Sequence, residues 1–394
     1  MTAGLRVLVV LSALLLPATA VPRARAAEAP IEIHAILPLT GQASFLGQGE
    51  AAALRAVEAV VDKQGGIRGR PVRFVVQDDT SSPQVAVQLL NQLIADKVNV
   101  VLGSSLVAIC GAMLPILKDG PVAYCMSNGV HPPPGSYMFT SAMWTKDMIV
   151  ADVRYLRERG WTKIAMITST DATGQDAERS LDEAFARPEN KAIRVVAREH
   201  FNTTDVSVAA QMARIRAANP DALIAWSSGT PAATLFRGEQ EAGLDLPTLT
   251  TAGNLTYVQM KQYGQILPKE LYFAGLPQFA PESVSDAGVK SAVQTYLSSL
   301  AAIGIKPDYG EASMWDPAML VVTALRKLGP AASAAQIRDY IDGLSHWAGA
   351  DGIYDFKALP QRGLDDRNVI VIRWDAAKGT WVGVSRPGGI PLKR

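Results

Sequence analysis

The sequence predicts an α/β protein of two doubly wound lobes, each a parallel β-sheet covered on both faces by helices. Two observations carry this expectation. Short, near-continuous apolar runs alternate with amphipathic stretches, and strands of that kind belong to sheets buried on both faces. The rhythm then pauses near residue 142 and restarts, and the roughly 370 residues beyond an N-terminal leader suit two cores better than one.

The leader comes first. Arg6, the apolar run 7–16 broken only by Ser12, then Pro17 and small residues follow the plan of a secretory signal over residues 1–26. The run is too short to span a bilayer. Cleavage is expected at Ala18-Thr19-Ala20 or, preferably, at Ala24-Arg25-Ala26. No cysteine lies near either site, so no lipid or other membrane anchor is expected after cleavage. Such a leader implies a periplasmic protein.

Residues 33–39 (IHAILPL) read as a strand, followed by a helix over 48–62 with Leu54, Val57, Val60 and Val61 on one face and Gly65-Gly66 as its stop. Residues 72–77 form the next strand. Ser82-Pro83 then opens a helix, the serine as cap and the proline in the first turn. Strands over 98–103 and 121–126 flank a helix over 106–118. The second set runs helix 147–159, strand 163–168, helix 174–187, strand 193–199, helix 206–218, strand 222–226, and a helix opened by Thr230-Pro231. Three successive helices (285–303, 311–328, 334–343) break the alternation. Strands 369–374 and 380–384, with a turn at 377–379, close the chain. A helical segment that extends neither sheet is expected to return to the first lobe, so that several chain crossings make a hinge beside a cleft. In open parallel sheets the ligand sits beyond the carboxyl ends of the strands.

Composition removes other classes. Formal net charge is +1, and loss of Arg6, Arg23 and Arg25 with the leader makes it −2. No basic face exists to hold a nucleic acid. His34, His131, His200 and His346 are scattered without metal-ligand spacing, and the hydrolase elbow G-x-S-x-G and the metalloprotease motif H-E-x-x-H are absent. Gly47-Gln48-Gly49-Glu50-Ala51-Ala52 matches a dinucleotide fingerprint, but Thr40–Leu46 intervene where that fingerprint needs a tight turn. Asp78-Asp79 point to opposite faces of a strand and read as turn-capping groups. No cofactor, metal or catalytic residue is expected, and the protein is not read as an enzyme.

Specific residues resemble a family. Leu37-Pro38-Leu39-Thr40-Gly41 with Gly47, the helix end Lys63-Gln64-Gly65-Gly66-Ile67-Arg68-Gly69, and Phe74–Asp79 (FVVQDD) look like the leucine/isoleucine/valine-binding proteins. Val101-Leu102-Gly103-Ser104, Gly120-Pro121-Val122 and Pro220-Asp221-Ala222 continue the likeness in order. The resemblance implies a type I periplasmic-binding fold with a three-crossover hinge. Lobe 1 would comprise 27–141 and 277–362, and lobe 2 142–276 and 363–394. It also implies a monomer that delivers its ligand to the permease of an ABC transporter. A sensor that signals to a receptor with the same clamp is the alternative.

Ser104, Ser105 and Val107 follow the strand 98–103 at a helix N-terminus, where free N–H groups and the dipole favour an anion. Ser127, Asn128 and Gly129 follow the next strand at the same edge. In the family these turns grip a ligand carboxylate; the alternative role for either serine of the first turn is helix capping. The second lobe departs from the family. Asp171-Ala172-Thr173-Gly174 stands where amino-acid binders carry a tyrosine, and Thr251-Ala252-Gly253-Asn254 where they carry an acid for the ammonium. An ammonium without a carboxylate is expensive to bury. Asp171 is a substitute partner or a helix cap, and Thr173, Gly253 and Asn254 leave room. Phe45, Trp226 and Tyr257 are candidates to line an aromatic-accepting pocket, so the ligand is read as a small carboxylate, either an aromatic acid or amino-acid-like. Cys110 and Cys125 are expected to form a disulfide. The implied compartment is oxidising, and the two residues sit at one height on a helix and its following parallel strand.

Overall fold

The computed structural model describes Met1 and residues 29–140 and 143–392. The signal read over 1–26, with both cleavage sites, and Ser141 at the first crossing lie outside the described residues. Among the described residues no helix is long and apolar enough to cross a membrane.

The first sheet takes β1 (Ile31–Leu37), β2 (Val72–Asp78), β3 (Val100–Leu102), β4 (Val122–Cys125) and β5 (Met138–Thr140). Their order is β2-β1-β3-β4-β5, all parallel. Helices α1 (Ser44–Lys63), α2 (Pro83–Ala95) and α3 (Val107–Met113) connect the first four. Alternate strand residues feed two cores. Ile33, Ala35, Leu37, Leu102, Val122 and Tyr124 face the α1 side, whereas Ile36, Val101, Ala123 and Cys125 pack with Leu90, Ile109 and Met113 of α2 and α3. This two-sided burial is why the strands lack polar alternation.

The second unit begins with α4 (Thr145–Glu158), then β6 (Lys163–Ser169), α5 (Ala172–Phe185), β7 (Arg194–Phe201), α6 (Ala209–Ala217), β8 (Ala222–Trp226), α7 (Pro231–Glu241), β9 (Pro247–Thr250), α8 (Tyr257–Gln262) and β10 (Glu270–Gly275). Three further helices follow: α9 (Ala287–Ala302), α10 (Tyr309–Leu328) and α11 (Ala334–Asp342). A small hairpin of β11 (Ser345–Ala348) and β12 (Ile353–Asp355) precedes β13 (Ile370–Asp375) and β14 (Thr380–Gly383). The second sheet has the order β14-β13-β10-β9-β8-β6-β7. Its five β6–β10 strands are parallel, while β13 and β14 add as an antiparallel hairpin. Helix α10 packs along α1, and α11 lies against β4. The chain therefore passes from the first sheet to the second after β5, leaves it after β10 and re-enters it at β13.

Several boundaries differ from the sequence reading by a few residues, and three of them are instructive. Helix α1 begins at Ser44 rather than 48, because its glycines serve contact: a Cβ on Gly47 would overlap the Pro38 carbonyl, and one on Gly310 would stand 3.1 Å from Gly49 Cα. The helix read over 106–118 ends at Met113, where a tighter turn carries Pro115, which has no N–H to donate. The helix read from 206 starts at Ala209.

Candidate functional site

In the first sheet β1 lies between β2 and β3, so the chain leaves the tips of β1 and β3 in opposite directions. In the second sheet β6 lies between β7 and β8 and creates the same divergence. Such switch points open a crevice at the carboxyl end of a sheet. Here the two crevices face each other around a narrow cavity of about 40 Å³.

The first sheet's side contributes Leu46 from the start of α1, then Ser105, Leu106 and Val107 from the β3–α3 turn. Met126, Asn128 and Gly129 come from the turn after β4. The second sheet's side contributes Thr173 after β6, Trp226 and Ser228 at the end of β8, and Thr251 and Gly253 after β9. Thr145 of α4 and Tyr309 at the head of α10 complete the lining. A larger groove of about 420 Å³ between α7 and the loop before β10 lies on the outer surface, away from both switch points.

Among the described residues the lining is apolar and hydroxylic with one amide, Asn128, and no member carries a formal charge. Asn128 Nδ2 lies 2.9 Å from the Tyr309 hydroxyl, which fixes the amide at the cavity wall. Thr145 N donates to Asn128 O at 2.7 Å. The two sides also meet directly at the rim. His131 Nε2 lies 2.9 Å from Asp176 Oδ1 of α5, and a Cβ on Gly229 would come within 2.7 Å of the Gln42 carbonyl. The start of α10 joins both sides as well, since Tyr309 N donates to Leu255 O and Tyr257 N to Asp308 Oδ2.

Seven residues singled out from sequence line the cavity: Ser105, Val107, Asn128, Gly129, Thr173, Trp226 and Gly253. The others lie around it in supporting positions. Ser104 is fully buried, its hydroxyl beside the Asp79 carboxyl without the geometry of a full hydrogen bond. The Ser127 hydroxyl accepts from Gly129 N at 3.4 Å and shapes its own turn. Asp171 caps α5, accepting from Gly174 N at 3.1 Å and from the Ser169 hydroxyl at 2.6 Å. Asn254 is buried, its Oδ1 accepting from Gly229 N and its Nδ2 donating to Ser227 O. Phe45 lies one residue before Leu46, which takes the lining place, and Tyr257 packs against Trp374 and Trp381 beside the hinge. Sequence reasoning missed Leu46, Leu106, Met126, Thr145, Ser228, Thr251 and Tyr309 as lining groups. Ser228 follows a strand, the same signal that marked Ser105. Tyr309 has none, because the fold alone brings a helix start from 181 residues away to Asn128.

Behind the β3–α3 turn lies a buried set of carboxyls. Burial pushes Glu50 of α1 up to about 8, with the neighbouring Ser105 hydroxyl opposing and Asp79 and Glu311 adding to the rise. Burial likewise raises Asp79, against the nearby Ser104 hydroxyl and its bond from Ser81 N. Asp78, by contrast, is lowered: three donors from Thr40 and Thr80 outweigh its slight burial, giving it the turn-capping role read from the sequence. Cys110 and Cys125 are joined by a disulfide with Cα atoms 6.2 Å apart, which ties α3 to β4 directly under the two turns.

Comparison with known proteins matches this architecture. An extracellular ligand-binding receptor from Rhodopseudomonas palustris HaA2 superposes with a TM-score of 0.79 at 24% identity, over 89% of this chain and 99% of that one. A solute binding protein of an ABC transporter from R. palustris, solved in complex with benzoate, gives 0.74 at 20% identity over 92% and 97%. The branched-chain amino acid transporter substrate binding protein LivJ of Streptococcus pneumoniae, solved with isoleucine, gives 0.74 at 17% over 90% and 99%. At these identities the likeness is one of fold. In sequence, a stretch of 100 residues is 36% identical to a Leu/Ile/Val-binding protein homolog of Brucella melitensis, spanning 25% of this chain and 27% of that relative. Over the whole span 30–380 the residues match the family model for periplasmic binding proteins, and to that family of ligand-binding proteins, rather than to any enzyme family, the chain belongs.

Proposed function

We propose that the protein is the exported substrate-binding component of an ABC importer, which encloses a small aromatic carboxylate between two lobes and presents it to the membrane permease. In this reading lobe 1 is 27–141 with 277–362, lobe 2 is 142–276 with 363–394, and a signal over 1–26 sends the chain to the periplasm as a monomer. One observation carries the choice of ligand. The described lining holds hydroxyls, an amide, an indole and aliphatic groups, but no carboxylate. A ligand anion finds donors in Thr145, Thr173, Ser228 and Thr251. An α-ammonium finds no countercharge, and burying it unpaired costs several kcal/mol. Trp226 and Leu46 on opposite sides suit a planar apolar body. The benzoate-bound relative of the same fold supports this reading, and the isoleucine-bound relative marks the amino-acid alternative that the uncharged lining disfavours.

The test is a thermal-shift and calorimetric panel of benzoate, substituted aromatic acids, their neutral amides and branched-chain amino acids. A ligand at 100 times its Kd stabilises the folded state by about 2.7 kcal/mol. Aromatic acids should shift the melt while their amides and the amino acids do not. A shift with leucine or isoleucine and none with any aromatic acid would overturn the assignment.

A further inference from the structure

We propose that an aromatic pocket beside the crossing that leaves β10 is a second ligand site, separate from the cleft, and that it takes a planar aromatic anion held by Lys306. The pocket has a volume of about 240 Å³ and shares no lining residue with the cleft cavity. Separate stretches of chain build it. Tyr257 comes from the head of α8, and Thr380 and Trp381 from β14. Phe279 stands on the crossing, Leu297 on α9, and Lys306 on the loop between α9 and α10. An occupant therefore touches both sides of the molecule and the crossing that joins them. Tyr257, which the sequence marks as a candidate wall for an aromatic ligand, supplies that wall here and not in the cleft.

The walls are ring and aliphatic surface left partly open. Tyr257, Phe279 and Leu297 are half-buried, each packed on the main core with one side to the pocket. Behind them the rings are closely set. The Tyr257 centroid lies 5.3 Å from that of Trp381, and Trp381 lies 4.6 Å from Trp374. Such packing fixes the ring planes, and a preformed aromatic wall receives a flat ring with little ordering cost.

The polar element is a single ammonium. Lys306 Nζ stands 3.8 Å from the centre of the Tyr257 ring and donates to Gly379 O at 3.3 Å. Among the described residues no carboxylate pairs with it. An ammonium has three protons to donate; Gly379 engages one, so two remain for an anion. Asp308, two residues along the chain, is committed elsewhere: Oδ2 accepts from Tyr257 N at 2.9 Å and Oδ1 from Gly310 N at 3.3 Å. Glu311, Asp316 and Asp351 act on the Tyr296 hydroxyl, which is buried and so belongs to the far side of the pocket wall. The place over the Tyr257 ring that would suit a cation is already filled. What complements these walls is a flat apolar body with one negative group.

The experiment titrates the full chain with anilinonaphthalene sulfonate and with neutral anilinonaphthalene, read by probe fluorescence, and compares the wild type with Lys306→Gln, Lys306→Arg, Phe279→Ala and Gly253→Val. The wild type should bind one equivalent of the sulfonate. Lys306→Gln should weaken the sulfonate at least about fivefold and leave the neutral probe unchanged, because charge-assisted bonds are roughly twice as strong as neutral ones. Lys306→Arg should restore most of the loss. Phe279→Ala should weaken both probes, and Gly253→Val, which narrows the cleft, should change neither titration. Lys306 is exposed, so its replacement leaves the fold and the melting temperature as they are. No binding of the sulfonate, equal affinity in the wild type and Lys306→Gln, or loss of binding in Gly253→Val overturns the assignment. None of these outcomes depends on which ligand the cleft takes, so the proposed function stands or falls separately.

Discussion

Glu239 offers a measurement of buried-acid energetics well away from the cleft. It lies on α7 against β9, where the Thr248 hydroxyl donates to Oε1 at 2.7 Å and Oε2 has no partner. Burial pushes the carboxyl up to about 8, with the Thr248 bond opposing, against an ordinary value of 4.5. The folded chain thus holds a proton that the unfolded chain releases. The resulting stability is fully present below about pH 4.5, is lost as pH rises toward 8, and changes no further above 8. The slope is about 1.4 kcal/mol per pH unit, so pH 5 to pH 8 removes roughly 4 kcal/mol. Glu239→Gln keeps the shape and the acceptor for Thr248 but cannot titrate. Urea denaturation of both proteins without ligand, at pH 5, 6, 7, 8 and 9, isolates the term. The variant should gain on the wild type steadily from pH 5 to 8, by up to roughly 4 kcal/mol, and keep a constant lead above that. Parallel curves would refute the reasoning, because they would mean that Glu239 ionises in the folded protein as freely as in water.

Three other predictions concern the cleft and its frame. Replacing Cys110 and Cys125 together with alanine should cost about 3 kcal/mol, the chain-entropy value for a loop of 15 residues, read as a lower melting temperature that matches the wild type under reductant. Asp176→Asn removes the charge that meets His131 across the rim, so ligand affinity should fall by about fivefold through faster dissociation, with the ligand-free melt little changed. Gly253→Val narrows the cavity, since even a Cβ there stands 3.0 Å from the Ser228 hydroxyl; calorimetry should show affinity for aromatic acids down at least tenfold in a protein that remains folded.

The sequence made the architecture legible where one rule governed many residues. Alternating apolar runs gave strands and helices because both faces of each sheet are buried, and Ser82-Pro83 gave a helix start because capping is local. Boundaries were lost where tertiary contact overrode local signals. Helix α1 was expected from 48, yet it begins at Ser44 with Gly47 and Gly49 inside it, where Gly49 lets Gly310 of α10 come close. Strands β5 and β9, of three and four residues, were too short to carry a pattern. At the site, Ser105, Asn128 and Gly129 were found because the strands before them aim the chain at the cleft, whereas Met126, Ser228 and Thr251, which also follow strands, were not. Which of two adjacent serines faces the ligand space was not legible: Ser104 and Ser105 differ only in the side of the turn from which they leave. Tyr309 and Thr145 come from helix starts that only the hinge brings to the cavity.

The bridge between Cys110 and Cys125 has a practical consequence. The sequence contains two cysteines and both are engaged, so no native thiol competes for a thiol-specific label. Gln42 is exposed at the rim, its carbonyl against Gly229 of the opposite side. Under the proposed function, in which the two sides close on a ligand, a fluorophore attached through Gln42→Cys would sit in that gap, and its brightness would report occupancy of the cleft in real time. The same covalent tie that braces the binding turns makes the molecule a ready scaffold for a reagentless optical sensor of its own ligand.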